Sequence, residues 1–135
     1  TLCTIRMTKT FNVVGWFEIP VTDMPRAIRF YETLFGYTLH YQIIGDEEMA
    51  WFPWSEEATG ASGSLVKHEE KYKPSANGAV VYFSSPSGDL ANELTRVEKA
   101  GGKLLQNKTL IAEDIGFMAL VLDTEGNRIA LHSRG

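Results

Sequence analysis

Cysteine is nearly absent: Cys3 is the one thiol among 135 residues. A lone thiol supports neither a disulfide framework nor a thiolate metal site, and it fits a reducing cytoplasm, which is the expected location. Charge of one sign is also scarce, since 13 Lys and Arg against 17 Asp and Glu leave a formal net charge of −4. No basic field exists to hold nucleic acid or an anionic membrane surface. No apolar run approaches the roughly 20 residues that cross a bilayer. The opening TLCTIRMT lacks a signal-peptide core, and Met7 is read as the natural start, so the expected domain is 7–135. The Gly-rich ATGASGS at 58–64 has no Lys-Ser/Thr and no following helix, which excludes a phosphate loop. It reads instead as a hairpin loop and a candidate lid. Nucleophile motifs and a dinucleotide fingerprint are likewise missing.

What is present is an ordinary globular composition, 44% hydrophobic and 22% charged, at a length that suits one compact domain. Val13 to Val21 reads as a strand rich in β-branched and aromatic residues. Thr22 and Asp23 are helix N-caps, and Pro25 suits the first turn, where its missing N–H has no partner to lose. Met24, Ile28, Tyr31, Leu34 and Phe35 then recur at helical spacing, and Gly36 ends the helix as a left-handed cap. Strands are predicted at Tyr37 to Ile44, Met49 to Trp54 and Ser64 to His68.

The second half repeats this order. Gly78 to Ser84 predicts a strand, Asp89 caps a helix striped by Leu90, Leu94, Val97 and Ala100, and Gly101-Gly102 stops it. Strands follow at Lys103 to Lys108, Phe117 to Asp123 and Arg128 to His132, the last two joined by a tight turn at Glu125-Gly126-Asn127 in which Gly and Asn accept positive φ. Asp23 matches Asp89, Met24 Leu90, Ile28 Leu94 and Gly36 Gly102, every pair 66 residues apart. The sequence is therefore α+β, with two βαβββ repeats at 13–68 and 78–133 joined by the polar linker 69–77. Each repeat alone leaves a sheet face uncovered. Side by side they curl into a cupped mixed sheet with the helices on the outer face.

FEIPVTDMPRAIRFYETLFGY, the doubled βαβββ order and LDTEGNRIALHS together resemble the vicinal oxygen chelate superfamily. That group includes glyoxalase I, extradiol dioxygenases, fosfomycin-resistance enzymes and bleomycin-binding proteins. The resemblance covers Val13 to Ser133 and implies a small-molecule ligand and a homodimer. In the family's enzymes, His, Glu or Gln on the first strand and a later strand of each unit hold a divalent metal that chelates two adjacent substrate oxygens. The first such position, seven residues before the capping Asp, is Trp16 here. The first strand of the second unit offers Ala79, Val80, Val81, Tyr82 and Phe83, and the last strand offers Ala130. The remaining position falls at Lys67 or His68, of which only His68 can ligate. At least three of four ligands are missing, so no resident metal or other cofactor is expected.

Two residues displaced from those positions keep the same face, because strand side chains alternate. Glu18 shares a face with Trp16, and His132 with Ala130. A carboxylate beside a histidine is a workable proton-transfer couple near neutral pH. Glu18 and His132 are accordingly the candidate catalytic pair, or, with His68, a shifted metal set. The competing reading makes Glu18 a pocket carboxylate and leaves His132 facing water. WFPW at 51–54 places Trp51 and Pro53 on one face and Phe52 and Trp54 on the other, and aromatics with a polar handle suit a pocket for a flat ligand. Trp16, Glu18, Trp51, His68, Phe83 and His132 are the expected lining. The expected function is metal-independent binding of a small organic molecule. The alternatives are a metal-dependent lyase, isomerase or dioxygenase, and a metal-free enzyme using Glu18 and His132.

Overall fold

The computed structural model describes residues 12–135; the expected start at Met7 and the lone Cys3 lie outside the described residues. Strand β1 is Phe17–Pro20 and helix α1 is Met24–Phe35. Strands β2, β3 and β4 follow at His40–Ile44, Glu47–Trp51 and Gly63–Lys67. The second unit is β5 Tyr82–Ser84, α2 Leu90–Leu94, β6 Lys103–Ala112, β7 Gly116–Leu122 and β8 Arg128–Ser133. The two four-stranded sheets have the same order, β1-β4-β3-β2 and β5-β8-β7-β6, so the doubled βαβββ pattern folds as a doubled sheet. In each, the edge pair formed by the unit's first and last strands, β1–β4 or β5–β8, is parallel and the others are antiparallel.

Local chemistry sets the helix limits. Asp23 has an extended backbone and accepts a hydrogen bond from the Arg26 N–H, and Gly36 at φ 81° donates its N–H to the Glu32 carbonyl. Asp89 caps α2 through the Ala91 N–H. The second helix is shorter than its repeat partner: past Leu94 the chain continues as turns to Gly101.

The helices cover one face of each sheet. Met24, Ala27, Phe30, Tyr31, Leu34 and Phe35 of α1 are buried. They share one core with Ile19, Ala50 and Leu65 of the first sheet and Ala119, Val121, Ile129 and Leu131 of the second. The opposite face of each sheet, here the open face, carries the alternate residues.

Two details depart from the sequence reading. Strand β3 ends at Trp51, so alternation does not run on to Trp54, which is 65% exposed in the following loop rather than turned to the helix side. At the β7–β8 turn only Gly126 takes positive φ, at 94°. Asn127 instead serves as a hydrogen-bonding hub: its N–H donates to Asp123 Oδ1 and its amide to the Pro20 carbonyl.

Candidate functional site

The ladders decide which residues stand together on the open face. Glu18 pairs with Ser64 across β1–β4, and Trp51 pairs with the same Ser64 across β3–β4. Their chain neighbours Ile19, Leu65, Ala50 and Phe52 point into the core. Trp16 and Trp51 meet edge to face, ring centroids 5.4 Å apart and planes at 70°. Both indoles stay partly exposed, 39% and 36%, and offer an aromatic surface to solvent. Such a pair presents a negative ring face and a positive ring edge to an incoming ring.

Beside them, Glu18 accepts a 2.5 Å hydrogen bond from the Tyr72 hydroxyl. That bond pushes the Tyr72 phenol up to about 12, because losing its proton would set a phenolate against a carboxylate. Tyr72 belongs to segment 69–77, read from sequence as a polar linker. The segment is tied across the open face: Tyr72 holds Glu18, and the Ser75 N–H donates to Asn127 Oδ1 at 3.1 Å. Under it, at the seam between the sheets, lies a cavity of about 190 Å³ whose walls include Glu18, Lys73, Val81, Arg128 and Ile129.

The other expected residues are placed elsewhere. His132 projects from the open face of the second sheet, opposite Ser84 and Met118. Its Nε2 donates to the Ile115 carbonyl at 2.7 Å, at the β6–β7 turn. Glu18 bonds Tyr72 and His132 bonds Ile115, so the acid–base couple expected from sequence is not brought into hydrogen-bond contact. Phe83 pairs with Leu131 and stacks on Phe35 at 5.0 Å on the core side, away from the tryptophan pair, and it lines a second cavity with Phe17 and Tyr37. His68 follows β4 at the end away from Trp16, its Nδ1 accepts from the Glu70 and Lys71 N–H groups, and its Nε2 donates to Asp46 at 3.0 Å. Residues 59–62 border a cavity of about 310 Å³, together with Phe17, Tyr37 and Tyr82.

The superfamily's metal can be tested against these positions. Phe17 pairs with Gly63, so the residue level with Trp16 is Ser62, immediately before β4, and not His68. Seven residues before Asp89 stands Tyr82, and its β8 partner is Ala130. An indole, a hydroxyl, a phenol and a methyl group occupy the four places where imidazoles and carboxylates would be needed. Among the described residues no group of three or more His, Cys, Asp or Glu converges. The residues present do not fit a resident divalent metal. Ser64, Tyr72, Lys73 and Arg128 were not singled out by sequence reasoning; only the strand period carried a signal for Ser64 and Arg128, and a tyrosine in a charged linker carried none.

The model of the Glyoxalase/Bleomycin resistance protein/Dioxygenase superfamily matches residues 13–131. A glyoxylase-like domain-containing protein of Didymella fabae is 30% identical over 124 residues, covering 90% of this chain and 93% of that protein. Among solved structures, TnmS3, an antibiotic-binding protein from Streptomyces sp. CB03234, superposes with a TM-score of 0.65 at 20% identity over 94% of this chain and 99% of its own. A glyoxalase I mutant from Zea mays gives a TM-score of 0.65 at 18% identity over 89% of this chain, which spans 45% of the maize protein's length. Among the described residues no helix is long and apolar enough to cross a membrane. With its two four-stranded sheets and its match from the first strand to the last, the chain belongs to the glyoxalase/bleomycin resistance protein/dioxygenase superfamily.

Proposed function

We propose that this chain binds a small, flat organic molecule on the open face of the first sheet and does so without a metal. The observation that carries the reading is the Trp16–Trp51 pair, an exposed edge-to-face aromatic surface standing where the superfamily's enzymes begin their ligand set. Two indoles bury much apolar area at little entropic cost, which suits them to hold a ring. Glu18 adds one hydrogen-bond acceptor beside them. Binding by sequestration, the action implied for drug-binding relatives, asks nothing more of the site.

The test is metal content and a melting curve before and after chelation, followed by tryptophan quenching with an aromatic library. Metal-free protein, an unchanged melting point and saturable quenching that is lost in Trp51→Ala support the proposal. A near-stoichiometric metal whose removal lowers the melting point would overturn it. A metal-free enzyme remains a second reading because of one contact, the Tyr72 hydroxyl on Glu18. A phenol and a carboxylate in contact can pass a proton, so Glu18→Gln would then abolish turnover while leaving binding intact.

A homodimer is part of the proposal. Edge strand β6 exposes Leu104, Leu105, Leu110 and Ile111, an apolar edge of the kind that pairs with another chain. Sedimentation at micromolar concentration tests it, and a monomer would retire it. A cytoplasmic location is also proposed, and fractionation of cells expressing the protein would check it.

A further inference from the structure

We propose that the seam cavity receives the carboxylate group of a small organic acid, with Arg128 and Lys73 as the residues that select the negative charge. The proposal deepens the reading above by naming a ligand class, and it rests on that reading only for the aromatic part of the ligand.

Among the described residues, two buried side-chain polar atoms have no hydrogen-bond partner, Ser64 Oγ and Arg128 Nε. Both lie on the open face. Ser64 alternates with core residue Leu65 in the first sheet, and Arg128 with core residue Ile129 in the second. Native folds leave few such groups, and each one calls for a water, an ion or a ligand. Arg128 belongs to the wall of the seam cavity, and Ser64 is the ladder neighbour of Glu18 on that wall, so the unpartnered guanidinium nitrogen points to a polar guest in the cavity.

Charge says which guest. A guanidinium stays protonated at any pH a protein meets. The described ion pairs engage Arg26, Lys67, His68, Arg96 and Lys108, and none engages Arg128. Lys73 donates to the Glu69 carbonyl at 2.7 Å, which leaves its charge unneutralised. The cavity wall therefore carries two cations and one carboxylate, and that carboxylate is already occupied by Tyr72. The balance of one positive charge suits a monoanion better than a phosphate dianion. The guanidinium fork matches a carboxylate in shape, and such charge-assisted bonds are about twice as strong as neutral ones. Ser75 and Asn127 also line the wall, and Ile19, Val81 and Ile129 add apolar surface that suits a hydrocarbon skeleton. Glu18 borders this cavity and is the ladder neighbour of Ser64, which neighbours Trp51, so the cavity and the tryptophan pair belong to one surface.

The experiment follows the Arg128 Nε–H signal by NMR, assigned by its loss in Arg128→Lys, together with tryptophan fluorescence. The probes are benzoate, neutral benzamide and inorganic phosphate. Benzoate is expected to move the Arg128 signal to saturation. Benzamide should leave it in place, phosphate should act at least tenfold more weakly, and Lys73→Met should weaken benzoate at least tenfold. A stationary Arg128 signal with benzoate would overturn the proposal, and equal quenching by benzoate and benzamide would then leave the binding function standing alone. A moving signal without quenching would keep the carboxylate site and retire the tryptophan surface. Phosphate as effective as benzoate would overturn the choice of a carboxylate.

Discussion

A methyl group at Gly63 would lie 2.2 Å from the Phe17 carbonyl oxygen and 2.6 Å from two atoms of its ring. The obstacle is partly backbone, which cannot swing aside, so β4 could not keep its register with β1. Gly63→Ala is expected to cost on the order of 2–3 kcal/mol, read from the urea midpoint. The sequence offered Gly63 only as one more small residue in a loop. Tyr31 poses a similar case. Its stripe position was legible, but not that its buried hydroxyl donates to Asp123 Oδ2 at 2.6 Å, 92 residues away. Burial and that carboxylate push the phenol well above its ordinary range. Tyr31→Phe is expected to cost about 1–3 kcal/mol by leaving Asp123 short of a partner, with the far-ultraviolet spectrum unchanged.

At the scale of elements, α1 is held at its first turn by a residue from the other repeat. Glu125, on the β7–β8 turn, accepts from the Thr22 and Asp23 N–H groups at 2.9 and 2.8 Å and pairs with Arg26 at 2.7 Å. A carboxylate here also complements the positive end of the helix dipole. Burial alone would raise the Glu125 carboxyl, but the Arg26 guanidinium and the two backbone donors outweigh it and lower it to about 2. The folded value lies below the ordinary one of 4.5. The stabilisation is therefore complete above pH 4.5 and is lost as pH falls toward 2. Allowing for solvent screening around the half-exposed Arg26, it is worth about 1–2 kcal/mol. Glu125→Gln should lower the melting temperature at pH 7 and flatten its fall between pH 5 and pH 3. A fall as steep as that of the wild type would show that other carboxylates carry the acid sensitivity. Caps and stripes of α1 were readable because they are local. The second helix was read as longer than it is, because a stripe reports buried positions and turns can bury them as well as a helix does.

At the scale of the whole molecule, the two repeats do not keep separate cores. Phe83 of the second unit packs on Phe17, Tyr31, Phe35 and Phe52 of the first, at centroid distances between 5.0 and 5.7 Å. Arg96 donates to the Leu34 carbonyl at the end of α1, and the buried Glu93 beside it accepts from Ser85. Phe83→Ala should cost about 3–5 kcal/mol and destabilise both halves together. Urea unfolding followed by tryptophan fluorescence, which reports the first repeat, and by far-ultraviolet circular dichroism should then give one coincident transition. Two separated transitions would show that the repeats fold independently.

By itself the sequence determined the doubled βαβββ order, the caps of α1, the superfamily, and the loss of most ligand positions. All of these rest on local chemistry or on a repeat that can be counted. Tertiary structure alone decided what stands together at the candidate site. Strand register placed Ser62 rather than His68 level with Trp16 and turned Phe83 into the core. A linker that looked merely polar was laid over Glu18 by Tyr72, and Arg128 was left facing a cavity with its Nε unpartnered. Such partners lie tens of residues apart, and only the closing of one sheet against the other brings them together. Periodicity states which face a side chain takes, but not what the fold sets opposite it.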